Sequence, residues 1–174
     1  IYINEGVEQG VDTDNQVEYL LDKAISKRAE LKLEFEKRKK KINPLIIIQM
    51  PNKSDALIEE VERFLNSRGI SYENHQLAKW LASDKDKINL KGITELDAEP
   101  QCLIFKEAVA TGWDCTRAHI LVKLREGMGD TFETQTIGRI RRMPEGKHYD
   151  CQSLDVCYLY TFDDKFKEGV KQTF

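Results

Sequence analysis

The sequence predicts an α/β domain, a mostly parallel sheet flanked by helices, and three observations carry that prediction. Short apolar runs at Leu45-Ile46-Ile47-Ile48, Cys102-Leu103-Ile104-Phe105 and Ile120-Leu121-Val122 have the unbroken apolarity of strands buried on both faces. Segments between them repeat apolar residues at helical spacing, and strands alternating with helices build parallel sheets. The 174 residues, 40% hydrophobic and 33% charged, suffice for one compact domain plus an appendage and exclude wholesale disorder.

The elements follow in order. After Asp12-Thr13-Asp14, a good helix start, Val17, Leu20, Leu21, Ala24 and Ile25 fall on one helical face, with Leu31, Leu33 and Phe35 extending it less regularly. The segment closes with Lys37-Arg38-Lys39-Lys40-Lys41. A basic end suits the negative pole of the helix dipole, and a nucleic-acid contact is the alternative. Residues 1–42 are therefore expected to form an amphipathic helical appendage, and residues 43–174 the main domain. Beyond Pro44 comes the first buried strand. Ser54 is placed to cap a helix carrying Leu57, Val61, Phe64 and Leu65, which Arg68-Gly69 ends. A weaker strand is expected at 70–73, then a short helix bearing Leu77, Trp80 and Leu81, then an exposed, irregular stretch over 83–100. The strand at 102–105 leads into KEAVATG and WDCT. The strand at 120–122 precedes a Gly127-Met128-Gly129 break, a capping box at Asp130 to Glu133, and a helix running to Pro144. A last strand is expected at 156–160.

Several functional classes are excluded at this level. No apolar stretch approaches the ~20 residues that span a bilayer, so a membrane protein is not expected. A net charge of −3 confines any nucleic-acid contact to a local basic surface. Cys102, Cys115, Cys151 and Cys157 have no metal-ligand spacing, so no metal site is expected, and four reduced thiols point to a cytoplasmic protein. Cys115 reads as an inert thiol, His119 as structural, Trp113 as core, and His75 and His148 have no partner pattern. The sequence opens with Ile1 and not methionine, which suggests a piece of something longer.

The sharpest constellation is Gln135-Thr-Ile-Gly138-Arg139-Ile-Arg141-Arg142. At ~100° per residue, Gln135, Arg139 and Arg142 share a helix face ~60° wide, while Ile137, Ile140 and Met143 form a separate apolar face. Gly138 borders the polar stripe and permits close approach to the backbone. Adjacent arginines repel unless an anion sits between them, and a planar fork suits phosphate, as in an arginine finger. The alternative is pairing with carboxylates on neighbouring elements.

These residues carry a resemblance. Gln-x-x-Gly-Arg-x-x-Arg resembles motif VI of superfamily 2 helicases and translocases, and LIFKEAVATGWD, from Leu103 to Asp114, resembles their motif V. ATGWDCTRAHILVKLRE, TQTIGRIRRMPEGKHY and INPLIIIQMP resemble the helicase region of type III restriction enzyme Res subunits, over most of the chain from about Asn43. The resemblance implies a second RecA-like motor domain carrying motifs IV, V and VI. Arg142 would be the arginine finger, Arg139 a second γ-phosphate contact, and Gln135 the amide orienting the attacking water or the phosphate. Asp114 would accept from the ribose hydroxyls, and Gly112 would let the chain pass close by. Lys106 and Thr111 lie beside positions that touch the nucleic-acid backbone in relatives, with Lys106 standing where many have threonine. The implied cofactor is ATP with Mg²⁺. The implied partners are double-stranded DNA, a first RecA-like domain of the same parent chain, and a modification (methyltransferase) subunit.

The sequence contains no G-x-x-x-x-G-K-[ST] phosphate loop and no Asp-Glu pair after a strand for Mg²⁺, so the chain holds half of such an active site. It also lacks an Asp…Glu-x-Lys cluster and is not expected to cut DNA. Two rival readings are a nucleic-acid-binding module without motor function and a structural α/β domain with decayed motifs. The intact Gln135, Gly138, Arg139, Arg142, Gly112 and Asp114 argue against decay.

Overall fold

The computed structural model describes residues 2–7, 15–51, 53–81, 86–106, 115–124, 154 and 156–162. In chain order the elements are β1 (Tyr2–Ile3), α1 (Gln16–Lys37), β2 (Ile46–Gln49), α2 (Asp55–Ser67), β3 (Leu77–Trp80), β4 (Lys87–Ile88), β5 (Cys102–Phe105), β6 (Ile120–Lys123) and β7 (Tyr158–Tyr160). The strands form one sheet in the order β1-β7-β6-β2-β5-β3-β4, parallel throughout except for the antiparallel β3/β4 pair. The fully buried strand β2 lies at the centre between β5 and β6, where both of its faces are covered.

Side-chain alternation divides the sheet into two cores. Ile46, Ile48, Cys102, Ile104, Ile120, Val122 and Tyr158 pack against α1 and α2, while Leu45, Ile47, Leu103, Phe105, Leu121 and Leu159 form the opposite core with Ile93, Cys115 and Ala118. The helix α1 places Leu20, Leu21, Ala24, Leu31 and Phe35 in the first of these. At about 1.5–3 kcal/mol per fully buried large apolar side chain, its four large residues contribute an amount comparable with a whole domain's net stability of about 5–15 kcal/mol. The expected division at residue 42 therefore does not divide the core: α1 is one of its layers, and residues 2–3 add the edge strand beside β7.

Two further local expectations change. Leu77–Trp80 is a strand and not a helix, because each of its residues pairs in parallel with Cys102–Phe105 of β5, and the strand expected at 70–73 is absent, with a turn over 72–75 in its place. The polar stretch that follows is not wholly exposed, since Ile93 is buried and β4 pairs with β3. Ser54 does occupy the N-cap of α2, but its side chain does not cap; Oγ donates to the Pro51 carbonyl at 2.5 Å.

Both long helices end in the same way with different residues. At the end of α2, Gly69 has φ +77°, Gly69 N–H donates to Asn66 O, Ile70 N–H donates to Leu65 O, and Ile70 and Leu65 are both buried. At the end of α1, Lys39 holds the equivalent left-handed position with φ +58°, with Lys39 N–H on Glu36 O and Lys40 N–H on Phe35 O. A lysine there meets the Cβ penalty that glycine avoids. Lys39→Gly is expected to stabilise the chain by about 0.5–1 kcal/mol, and Gly69→Ala to destabilise it by about 1 kcal/mol. Urea unfolding of both variants checks the pair, and shifts of the same sign would contradict it.

Candidate functional site

The site is built at the carboxyl edge of the sheet. The chain leaves β2 for α2 and β3 on one side, whereas β6 leads to β7 on the other, so the adjacent β2 and β6 diverge at their carboxyl ends. Such switch points are where open α/β sheets leave a crevice for ligands. Gln49 ends β2 in register with both Phe105 and Lys123, the last residues of β5 and β6, and Thr161 follows the end of β7. The edge is tied by Leu124 N–H donating to Gln49 O at 2.9 Å and Met50 N–H donating to Phe105 O at 2.8 Å. At β7, Asn4 Nδ2 donates to Thr161 O at 2.8 Å while Thr161 N–H donates to Asn4 Oδ1 at 2.9 Å.

This edge is polar and buried together. Gln49, Lys123 and Thr161 are 1%, 2% and 0% exposed, and the Gln49 Nε2 has no hydrogen-bond partner among the described residues. A cavity of about 100 Å³ opens on the α1 side of this edge, lined by Lys123, Leu124, Thr161, Phe162, Leu57 and the start of α1, but not by Gln49. Lys106, half-buried, directly follows β5 at the same edge. The other predicted site residues, Thr111, Gly112, Asp114, Gln135, Gly138, Arg139 and Arg142, lie outside the described residues.

The opposite edge contains a polar clamp that residue patterns did not indicate. Arg117, fully buried, donates from Nε to Ile93 O at 2.9 Å and from Nη1 to Asn43 O at 2.7 Å and Pro100 O at 2.8 Å. Arg28, 8% exposed, donates to Pro44 O at 2.8 Å and to Asn43 Oδ1. Asn43 in turn donates to Ala98 O and Glu99 O. Neither arginine forms an ion pair with a described residue. Burial pulls the Arg117 guanidinium down to about 10, and Arg28 is lowered for the same reason. Backbone carbonyls thus solvate two cations that salt bridges do not. One signal was present in the sequence: Arg28 sits in the apolar stripe of α1, four residues after Ala24 and three before Leu31.

The remaining charged groups read as structure. Lys37 and Arg38 both pair with Glu34, at 3.2 and 2.9 Å, and Lys40 and Lys41 line a cavity of about 400 Å³ opposite Asp97 and Glu99. The basic run is a solvated helix end facing acidic residues, where a phosphate backbone would meet repulsion. Burial pushes the Cys102 thiol up to about 12, as expected of a thiol acting as a small hydrophobe. Among the described residues no group of His, Cys, Asp or Glu could hold a metal, and no helix is long and apolar enough to cross a membrane.

No family model matches this sequence, and no curated protein does. Its fold does have solved counterparts. The crystal structure of the C-terminal part of the Fun30 ATPase domain superposes with a TM-score of 0.50 and 11% sequence identity, over 92% of this chain and 47% of that one. The chain thus spans about half the length of that neighbour. At this identity the likeness concerns architecture alone, and it agrees with the strand order derived above: the chain has a RecA-like α/β fold built on a mostly parallel sheet.

Proposed function

We propose that this chain is the second RecA-like motor domain of a larger ATP-dependent DNA translocase or helicase, of the kind found in type III restriction enzyme Res subunits. The observation that carries the reading is a coincidence of motif and topology. The Gly112-Trp113-Asp114 element follows β5, and Gln-x-x-Gly-Arg-x-x-Arg follows β6, the two strands that flank central β2 in a RecA-like sheet. In this reading Arg142 and Arg139 stabilise charge on the transferring phosphoryl group, Gln135 orients the attacking water or the phosphate, and Gly138 leaves the backbone open to close approach. Asp114 accepts from the ribose hydroxyls beside Gly112, and Lys106 and Thr111 face the nucleic-acid backbone. ATP and Mg²⁺ are held mainly by a first RecA-like domain, which supplies the phosphate loop and acidic pair that this sequence lacks. Double-stranded DNA and a modification subunit are the proposed partners, in the cytoplasm.

The isolated 174-residue chain is accordingly expected to show no ATP hydrolysis and no DNA cleavage. ATP turnover by pure chain, abolished by Arg142→Ala, would contradict the division of labour. In the parent protein Asp114→Ala should raise KM for ATP more than it lowers kcat, because its partner is the ribose and not the reacting phosphate. Unchanged affinity for ATP and for its deoxyribose analogue would remove Asp114 from the site.

A further inference from the structure

We propose that Arg117 is a positioning residue for the nucleotide: it touches no substrate itself, but by fixing the backbone that follows Asp114 it sets how that carboxylate meets the ribose. This role rests on the functional reading above, in which Asp114 accepts from the ribose hydroxyls.

Arg117 stands three residues after Asp114 and three before Ile120, which opens β6. Its guanidinium reaches carbonyls of three separate segments: Asn43 just before β2, Pro100 just before β5, and Ile93 in the loop after β4. The amino ends of the three central strands are thereby tied to one side chain. Its own backbone is held as well. Leu45 N–H donates to Arg117 O at 2.9 Å, Ala118 N–H to Cys115 O at 3.2 Å and His119 N–H to Arg117 O at 3.1 Å. Cys115 and Ala118 are buried in the core that contains Ile93. Asp114 is therefore bonded directly to a segment whose backbone and side chains are both held. Desolvation of a fully buried cation offsets part of what these hydrogen bonds contribute to stability, and what the guanidinium supplies beyond it is direction. Its planar fork accepts one arrangement of three carbonyls, which an ammonium on a flexible stem does not enforce. A ligand-holding group needs its support set to within about 0.5 Å, and this clamp is the support nearest to Asp114 in the chain among the described residues.

The test uses the parent protein with ATP and its deoxyribose analogue. Arg117→Lys keeps the charge and loses the fork. It is expected to raise KM for ATP about tenfold, to bring the KM values of the two nucleotides within about twofold of each other, and to change kcat less than about threefold. Arg28→Lys is the control, since Arg28 is buried on the same Asn43 from the α1 side; it should lower Tm without moving the ratio of the two KM values. A measurement on the unaltered protein runs in the opposite direction, because coupling between sites is reciprocal. A non-hydrolysable ATP should slow amide exchange of Ala118 and His119 about threefold or more, and its deoxyribose counterpart should slow it less. An unchanged KM ratio in Arg117→Lys, or an equal change in Arg28→Lys, overturns the positioning role while Asp114→Ala still alters that ratio. If Asp114→Ala leaves the ratio unchanged, the ribose assignment itself fails and takes this role with it. Amide exchange slowed equally by the two nucleotides also overturns the proposal, and that measurement needs no variant to fold.

Discussion

Arg117→Ala is expected to destabilise the chain by about 3 kcal/mol, within a range of about 2–5, well beyond the usual effect of removing a charged side chain. The substitution leaves the Ile93, Asn43 and Pro100 carbonyls without their shared donor and opens a cavity where a fully buried side chain stood. Relief of the burial that pulls the guanidinium down offsets part of this, which keeps the figure below the sum of three lost hydrogen bonds. Arg117→Met should recover the packing but not the hydrogen bonds, and so fall between Arg117→Ala and the parent. The control is Arg68, whose 2.7 Å ion pair with Asp22 is about as short but joins side chains 44% and 40% exposed. Arg68→Ala should cost no more than about 1 kcal/mol. Urea unfolding of the three variants decides the matter, and an Arg117→Ala loss no larger than that of Arg68→Ala would contradict the clamp.

In the parent protein that the functional reading requires, Arg142→Lys is expected to behave almost like Arg142→Ala. Lysine keeps the charge but not the planar fork, and an ammonium on a flexible stem does not reproduce two directed hydrogen bonds to equatorial phosphoryl oxygens. A finger of this kind is worth on the order of 10³–10⁵ in rate, so kcat should collapse while ATP affinity, set mainly by the first domain, changes little. If Arg142 instead pairs with a carboxylate within the fold, the result is a lowered Tm with nearly normal turnover. DNA-stimulated ATP hydrolysis and thermal unfolding, measured on the same preparations, separate the two. Near-normal turnover by the lysine variant would remove Arg142 from the finger role and favour Arg139.

The candidate site is legible in the sequence where its chemistry is local. At helical spacing Gln135, Arg139 and Arg142 would share one face, and Gly112 and Asp114 lie two residues apart in the sequence; all five lie outside the described residues. Of the candidate site residues named from the motifs, Lys106 alone lies among the described residues, half-buried after β5. Gln49 and Lys123 carry no local signal. Gln49 reads as the end of an apolar run and Lys123 as the end of another, and only the parallel register sets them side by side.

The same division runs through the fold. Sequence by itself determined the central strands β2, β5 and β6, because burial on both faces demands four consecutive apolar or accommodated residues, and it determined α2 with its Gly69 terminus, because the 3.6-residue period and the left-handed cap are local requirements. Tertiary structure alone decided Leu77–Trp80, whose apolar spacing fits a helix turn equally well until β5 offers its backbone groups. It also drew α1 into the core, since an amphipathic stripe specifies that a surface must be covered but not which one. Arg117 is the clearest case: its acceptors lie 17, 24 and 74 residues away in the chain, so no local pattern marks it for burial, and only the folded path brings three carbonyls to one guanidinium.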